Sequence, residues 1–203
     1  MAIYKPKYFI GIDEAGRGPL AGPLAVAGVL WRVDYDYTKK FSLVRDSKKI
    51  SERKREDFYR LLNEEKKAGL LSYKVSFIKP KTIDNYGLTI ALKRGVFSVL
   101  QRLSQNACFS YVFLDGALRA PDKYQQKTII GGDDIIPIIS LASIVAKTER
   151  DKKMREYAKK YPEYGFEHHK GYGVRAHYRA IKKCGICPIH RTLFLRKLKI
   201  KII

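Results

Sequence analysis

The sequence predicts an α/β domain, and three observations carry that prediction. Strand-like and helix-like segments alternate along the chain. Short apolar runs repeatedly end in acid: residues 8–12 before Asp13-Glu14, 111–114 before Asp115, and 128–130 before Gly132-Asp133. Hydrophobic residues make up 45% of the 203 residues and aromatics 12%, enough for one sizeable core.

Taken in order, the run at 8–12 reads as a buried strand, with Asp13 and Glu14 where it stops. Pro19 and Gly22-Pro23 mark a bend before a second apolar strand at 24–30. Ser51 followed by Glu52 and a charged run to Lys67 predicts a capped surface helix ending at Gly69. Residues 71–78 alternate as a strand does, and 83–103 carry Leu88, Leu92, Val96 and Leu100 at helical spacing. The runs at 111–114 and 128–130 predict two further strands. A long helix follows at 138–157, apolar first and charged later, and a last one is predicted at 174–183. There is no internal repeat and no low-complexity linker, so one unit with a C-terminal extension is the expected division.

Charge is the outlier. Lys and Arg number 41 against 20 Asp and Glu, a net charge of +21. From Asp151 onward 15 basic residues face 4 acidic ones, whereas the first 150 residues hold 26 and 16. An excess of this size favours a polyanionic partner, and nucleic acid is the commonest. Three cysteines argue against a disulfide framework and, with no signal-like or membrane-spanning stretch, lead to an expected cytoplasmic location.

A single carboxylate at a strand end is most often a turn or helix cap. Four of them, Asp13, Glu14, Asp115 and Asp133, against a basic background suggest more. Converging at one end of a sheet, they would suit two hard divalent ions roughly 3.5–4 Å apart. Glycines flank Arg17 in Gly16-Arg17-Gly18, freeing the backbone for close approach to a ligand. Acid for metal beside a glycine turn points to phosphodiester chemistry. A duplex-binding module without catalysis is the reading from another class, with steep salt dependence and no metal-dependent product.

The motifs occur in an order that resembles the type 2 ribonucleases H (ribonuclease HII). They are Gly11-Ile12-Asp13-Glu14-Ala15-Gly16-Arg17-Gly18-Pro19, Asp46-Ser47-Lys48, Asp115-Gly116, Gly132-Asp133 and Ser143-Ile144-Val145-Ala146-Lys147. Tyr164-Gly165-Phe166, His169-Lys170-Gly171-Tyr172 and Pro188-Ile189-His190-Arg191 complete the set, which runs from about residue 11 to 194. The resemblance implies an RNase H-like fold: a central mixed β-sheet flanked by helices at 1–160, with a basic C-terminal helical extension at 161–203 that contributes to substrate binding. It implies endonucleolytic cleavage of RNA in RNA–DNA hybrids and 5′ to single ribonucleotides in duplex DNA, leaving 3′-hydroxyl and 5′-phosphate ends. It further implies a monomer using two Mg²⁺ or Mn²⁺ ions held by Asp13, Glu14, Asp115 and Asp133. Gly16, Arg17 and Gly18 would then contact the ribonucleotide and its 2′-hydroxyl, Tyr172 would stack on the next sugar, and Lys48 and Lys147 would contact phosphate. A sliding-clamp contact is compatible with this family reading but has no residues assigned to it.

The chain departs from the family pattern at Gly131, where a lysine is usual, and at Leu141 and Leu193. Asp134 follows Asp133 directly; Asp133 is preferred because it is the residue after Gly132 in the matching motif. Cys184 and Cys187 with His190 suggest zinc or redox chemistry, but no second Cys/His pair stands at zinc spacing. His168 and His169 are expected on a surface loop, and Asp151 in a helix-surface ion pair or cap, or in direct catalysis. The tail at 197–203 alternates basic and apolar residues, as an edge strand or a docking peptide would.

Overall fold

A computed structural model describes residues 5–41, 44, 51–103 and 109–196. Its centre is a five-stranded mixed sheet in the order β3-β2-β1-β4-β5. The strands are β1 (Tyr8–Ala15), β2 (Leu24–Arg32), β3 (Leu71–Ile78), β4 (Ser110–Asp115) and β5 (Gln125–Ile129). β1 pairs antiparallel with β2 and parallel with β4, so it is the strand at which the sheet changes from one pattern to the other.

Helices cover both faces. On one side lie α2 (Glu52–Lys67) and the 24-residue α5 (Pro137–Lys160), with Ile138, Leu141, Ala142 and Val145 packed on Ala27, Val29 and Trp31. On the other, α3 (Pro80–Leu103) covers Ile10, Ile12, Val26 and Val112 with Ile83, Val96, Val99 and Leu100. Short helices α1 (Thr38–Phe41) and α4 (Gly132–Ile135) sit in the connections. Beyond α5 come a 3₁₀ turn (Pro162–Tyr164), α6 (Phe166–His169), α7 (Arg175–Cys184) and α8 (Thr192–Leu195). These pack through Tyr164, Phe166, Ile181 and Ile189 against Leu20, Ala21 and Met154. Among the described residues no helix is long and apolar enough to cross a membrane.

Most predicted elements stand where the pattern placed them, and Ser51 caps α2 by accepting a hydrogen bond from the Lys54 amide. Three differ. β1 runs to Ala15, so Asp13 and Glu14 are paired residues within its end rather than residues after it, held by β2 through Ala27 and Val26. The predicted helix at 83–103 begins at Pro80 and breaks at Gly87 (φ 75°, ψ 167°), a conformation outside the helical region. The strand predicted at 128–130 lies earlier, at Gln125–Ile129; it is a sheet edge with little apolar content, and Ile130 is 88% exposed. Asp133 therefore stands in the first turn of α4, not at a strand end.

Gly11 sets the distance between β1 and α5. A Cβ at this position would lie 2.3 Å from the backbone oxygen of Ile138, so the helix can cross the strand this closely only over glycine. Gly11→Ala should cost about 3 kcal/mol and lower Tm by roughly 6–12 °C, as read by thermal unfolding.

Candidate active site

β1 and β4 run parallel with Ile12 opposite Leu114, so Asp13, Glu14 and Asp115 emerge at the same end of adjacent strands. This carboxyl end is where open α/β sheets place their ligands. The turn after β5 brings in the fourth acid. The Gly132 amide donates to Asp115 Oδ1 at 2.7 Å, and Ser140 Oγ donates to the Asp133 carbonyl at 2.6 Å, fixing α4 beside β4. Gly131 precedes it at φ 66°, a backbone conformation that a residue with a side chain adopts only with strain.

These acids are buried close to one another. Asp13 is 4% exposed and Asp133 3%. Burial, then the charge of Glu14 and more weakly Asp115, pushes the Asp13 carboxyl well above the usual carboxylate range; Ser143 and the Glu14 amide, which donates to Asp13 Oδ1 at 2.7 Å, oppose this. Ser143 stands near the carboxylate without reaching hydrogen-bond geometry. Glu14 is likewise raised, first by burial and then by Asp115 and Asp133, against the pull of Arg17. Arg17 Nη1 lies 3.2 Å from Glu14 Oε1, while Glu14 Oε2 is buried without a hydrogen-bond partner. Lys147, one turn of α5 beyond Ser143, stands 4.0 Å from Asp133. An all-oxygen donor set, with an orphaned buried carboxylate oxygen and mutual repulsion, fits a hard divalent cation. Among the described residues no three acidic, His or Cys side chains are gathered tightly enough to coordinate one ion as they stand.

Beside the acids the loop at 16–18 is held from behind. Gly16 has φ 91°, and a Cβ there would meet Arg150 Nε at 2.1 Å. Arg150 donates to the carbonyls of Pro23 at 3.0 Å and Lys170 at 3.0 Å. Arg191 donates to those of Gly16 at 2.7 Å, Arg17 at 3.0 Å and Gly22 at 3.0 Å. The Leu20 amide donates to Gly171 O at 2.8 Å, which brings Tyr172 alongside this loop, its ring 48% exposed. Thus Arg17 of the loop at 16–18 stands against Glu14, Tyr172 lies beside that loop, and Lys147 stands separately against Asp133. Lys48 lies outside the described residues.

Sequence reasoning missed two features. Arg150 and Arg191 are both almost fully buried, yet Arg150 stands in the charged run Glu149-Arg150-Asp151-Lys152 and Arg191 between His190 and Thr192, so neither neighbourhood signals burial. The second is a histidine stack where a surface loop was expected. His168 is exposed, but His169 lies against His177 with ring centroids 4.5 Å apart, and His177 Nε2 is 3.1 Å from His190 Nε2. His177 Nδ1 meets the Tyr172 carbonyl at 2.9 Å and must donate, while His190 Nδ1 accepts from the Cys187 amide at 2.9 Å. His190 Nε2–H then donates to His177 Nε2, an arrangement satisfied with both rings neutral. Asp151 forms an ion pair with Arg55 at 2.5 Å.

A family model for ribonuclease HII matches residues 10–197. The chain belongs to the ribonuclease HII family. A ribonuclease HII from Clostridioides difficile is 39% identical over 191 residues, covering 94% of this chain and 71% of that relative. Among solved structures, the ribonuclease H2 of Pyrococcus horikoshii matches with TM-score 0.73 at 25% identity, over 94% of this chain and 96% of that one. The ribonuclease HII of Archaeoglobus fulgidus, solved in complex with PCNA, matches with TM-score 0.70 at 25% identity, over 90% and 93%. The fold is accordingly RNase H-like, and the protein is a type 2 ribonuclease H, an endonuclease of RNA–DNA hybrids.

Two predictions follow from the site's electrostatics. Because charge on Asp13 is disfavoured in the folded protein, Asp13→Asn should raise the Tm of metal-free ribonuclease HII by a few degrees, measured by calorimetry in chelator at pH 7. Burial, then the neighbouring histidine, pushes His177 and His190 down to about 4. The unfolded chain takes up protons near pH 6.5 and the folded one only near 4, so stability should fall between those values by on the order of 3–6 kcal/mol. Urea midpoints across this window should show it, with a flatter profile in His177→Asn.

Proposed function

We propose that this ribonuclease HII cuts duplex DNA on the 5′ side of a single embedded ribonucleotide, as well as RNA within hybrids, leaving 3′-hydroxyl and 5′-phosphate ends. The observation that carries the proposal is the placement of a glycine loop and an exposed tyrosine against a buried carboxylate cluster. A reader of long RNA tracts needs a groove, whereas a reader of one ribonucleotide needs a small backbone surface that meets one 2′-hydroxyl.

Under this reading Asp13, Glu14, Asp115 and Asp133 hold two Mg²⁺ or Mn²⁺ ions. Such ions, when bound, supply an activated water and stabilise the leaving oxygen in an in-line displacement. The chain's own residues do the selecting and aligning. Gly16 and Gly18 bring backbone to the ribonucleotide without side-chain obstruction, and Arg17 lies beside them. Tyr172 stacks on the sugar of the following nucleotide and so senses the passage from RNA to DNA. Lys147 contacts the phosphate, and Lys48 is assigned the same role. At rest Arg17 and Lys147 lie against Glu14 and Asp133 as counter-charges, at 3.2 and 4.0 Å. The bond from phosphorus to the 3′-oxygen breaks, which leaves phosphate on the ribonucleotide. The basic extension at 161–203 grips the duplex through its backbone, independently of sequence.

The proposal takes the enzyme to act as a monomer in the cytoplasm. The PCNA complex of the Archaeoglobus fulgidus neighbour is the ground for extending it to a sliding-clamp contact.

Three duplexes test the reading: one with a single ribonucleotide, one with an RNA tract, and one all DNA, each with Mg²⁺, Mn²⁺ or chelator. The expected result is one cut 5′ to the lone ribonucleotide with metal, none with chelator, and intact DNA throughout. Asp115→Asn should abolish cleavage and leave duplex affinity within about threefold, since phosphate contacts carry binding. Cleavage at the wild-type rate in that variant would overturn the carboxylate assignment.

A further inference from the structure

Arg191 is a charge buried without a carboxylate partner at hydrogen-bond distance. Among the described residues its three side-chain hydrogen bonds go to backbone carbonyls, of Gly16, Arg17 and Gly22. Its own amide donates to Leu20 O at 2.7 Å, and the Gly22 amide donates to Ile189 O at 2.8 Å, so residues 189–191 run as a short brace along residues 20–22. The brace is itself fixed. Asp84, from the first turns of α3, accepts the amides of Thr192 at 3.0 Å and Leu193 at 2.9 Å.

Burying a guanidinium in this way is costly, and an apolar side chain of similar volume would join the extension to the sheet at less expense. What an apolar side chain cannot do is orient peptide groups. In a trans peptide the C=O of one residue points opposite to the N–H of the next, and the described chain contains no cis peptide bond. With the carbonyls of Gly16 and Arg17 drawn inward to Arg191, the amides of Arg17 and Gly18 are turned outward, away from the guanidinium. A fixed fork of donors suits this task, because one rigid plane sets two successive peptide planes at once. Lysine, with a single rotatable ammonium, would hold neither plane in a fixed direction.

We propose that Arg191 is the positioning residue of the loop at 16–18: it aims the Arg17 and Gly18 amides at the 2′-hydroxyl and thereby sets how strongly the enzyme prefers ribonucleotide to deoxyribonucleotide. The inference rests on the reading of that loop given above. It is distinct from a purely structural role, in which Arg191 only ties the extension to the sheet. A structural role predicts a lower Tm with unchanged discrimination. A positioning role predicts a loss of discrimination in protein that is still folded.

The test uses the full chain carrying Asp115→Asn, so that substrate survives, and fluorescence anisotropy in Mg²⁺. The quantity read is the ratio of Kd for an all-DNA duplex to Kd for the same duplex with one ribonucleotide. Without further change this ratio should exceed about ten, the worth of one good hydrogen bond to a polar group. A ratio of one there would overturn the reading of the loop itself, and this inference with it. Given a ratio above ten, adding Arg191→Lys should bring it close to one while affinity for all-DNA duplex stays within about threefold. An unchanged ratio in folded Arg191→Lys would overturn the inference alone. Asp84→Ala, which loosens the brace without touching the loop, covers the case in which Arg191→Lys does not fold. It should lower the ratio part-way, and no change there in folded protein counts against the inference equally.

Discussion

The contact between the backbone of Gly11 and that of Ile138 governs the geometry of the molecule. Because no side chain intervenes, α5 lies directly on β1, and its first turns sink into the sheet face from Pro137 to Ala146. That depth brings Ser143 beside Asp13 and Lys147 beside Asp133, and one further turn carries Arg150 beneath the loop that follows β1. A helix raised by the width of a methyl group would shift these three contacts together. The apolar packing of the sheet and the polar arrangement of the site thus share one distance.

Around that contact the molecule carries unfavourable electrostatics at two places. At the acidic site like charges are crowded out of water, which raises the pKa of Asp13 and Glu14 and leaves a carboxylate oxygen of Glu14 without a partner. Beneath the neighbouring loop two guanidiniums are buried together; burial, then Arg150, pushes Arg191 down to about 9, so it keeps its proton at neutral pH. Both arrangements oppose folding, and the apolar clusters on the two sheet faces offset them. Local electrostatic conflict of this kind gathers at functional sites.

Much of this was legible in the chain because each signal was local. An apolar run that stops at an acid marks both a buried strand and its end, so Asp13, Glu14 and Asp115 could be placed without knowing the sheet order. The helix from Ser51 announced itself by its cap. Other features depend on residues far apart. Nothing near Gln125 says that its strand is an edge, which is why the apolar pair Ile129-Ile130 drew the expected strand too far along. The break at Gly87 looks the same in sequence as any glycine tolerated in a helix. His169, His177 and His190 are separated by eight and thirteen residues, and only the packing of α6 and α7 joins them. Arg191 and Gly16 are 175 residues apart, beyond any periodic signal.

That last separation also orders events in time. The acids of β1 are made before the segments that pack around them, and β2 can pair with β1 soon after. The loop between these strands has to wait for a side chain 175 positions later before its carbonyls find their donor. Until then the carbonyls of Gly16 and Arg17 lack the guanidinium that holds them in the folded protein. Order along the chain therefore places the tie to that loop after the two strands it joins.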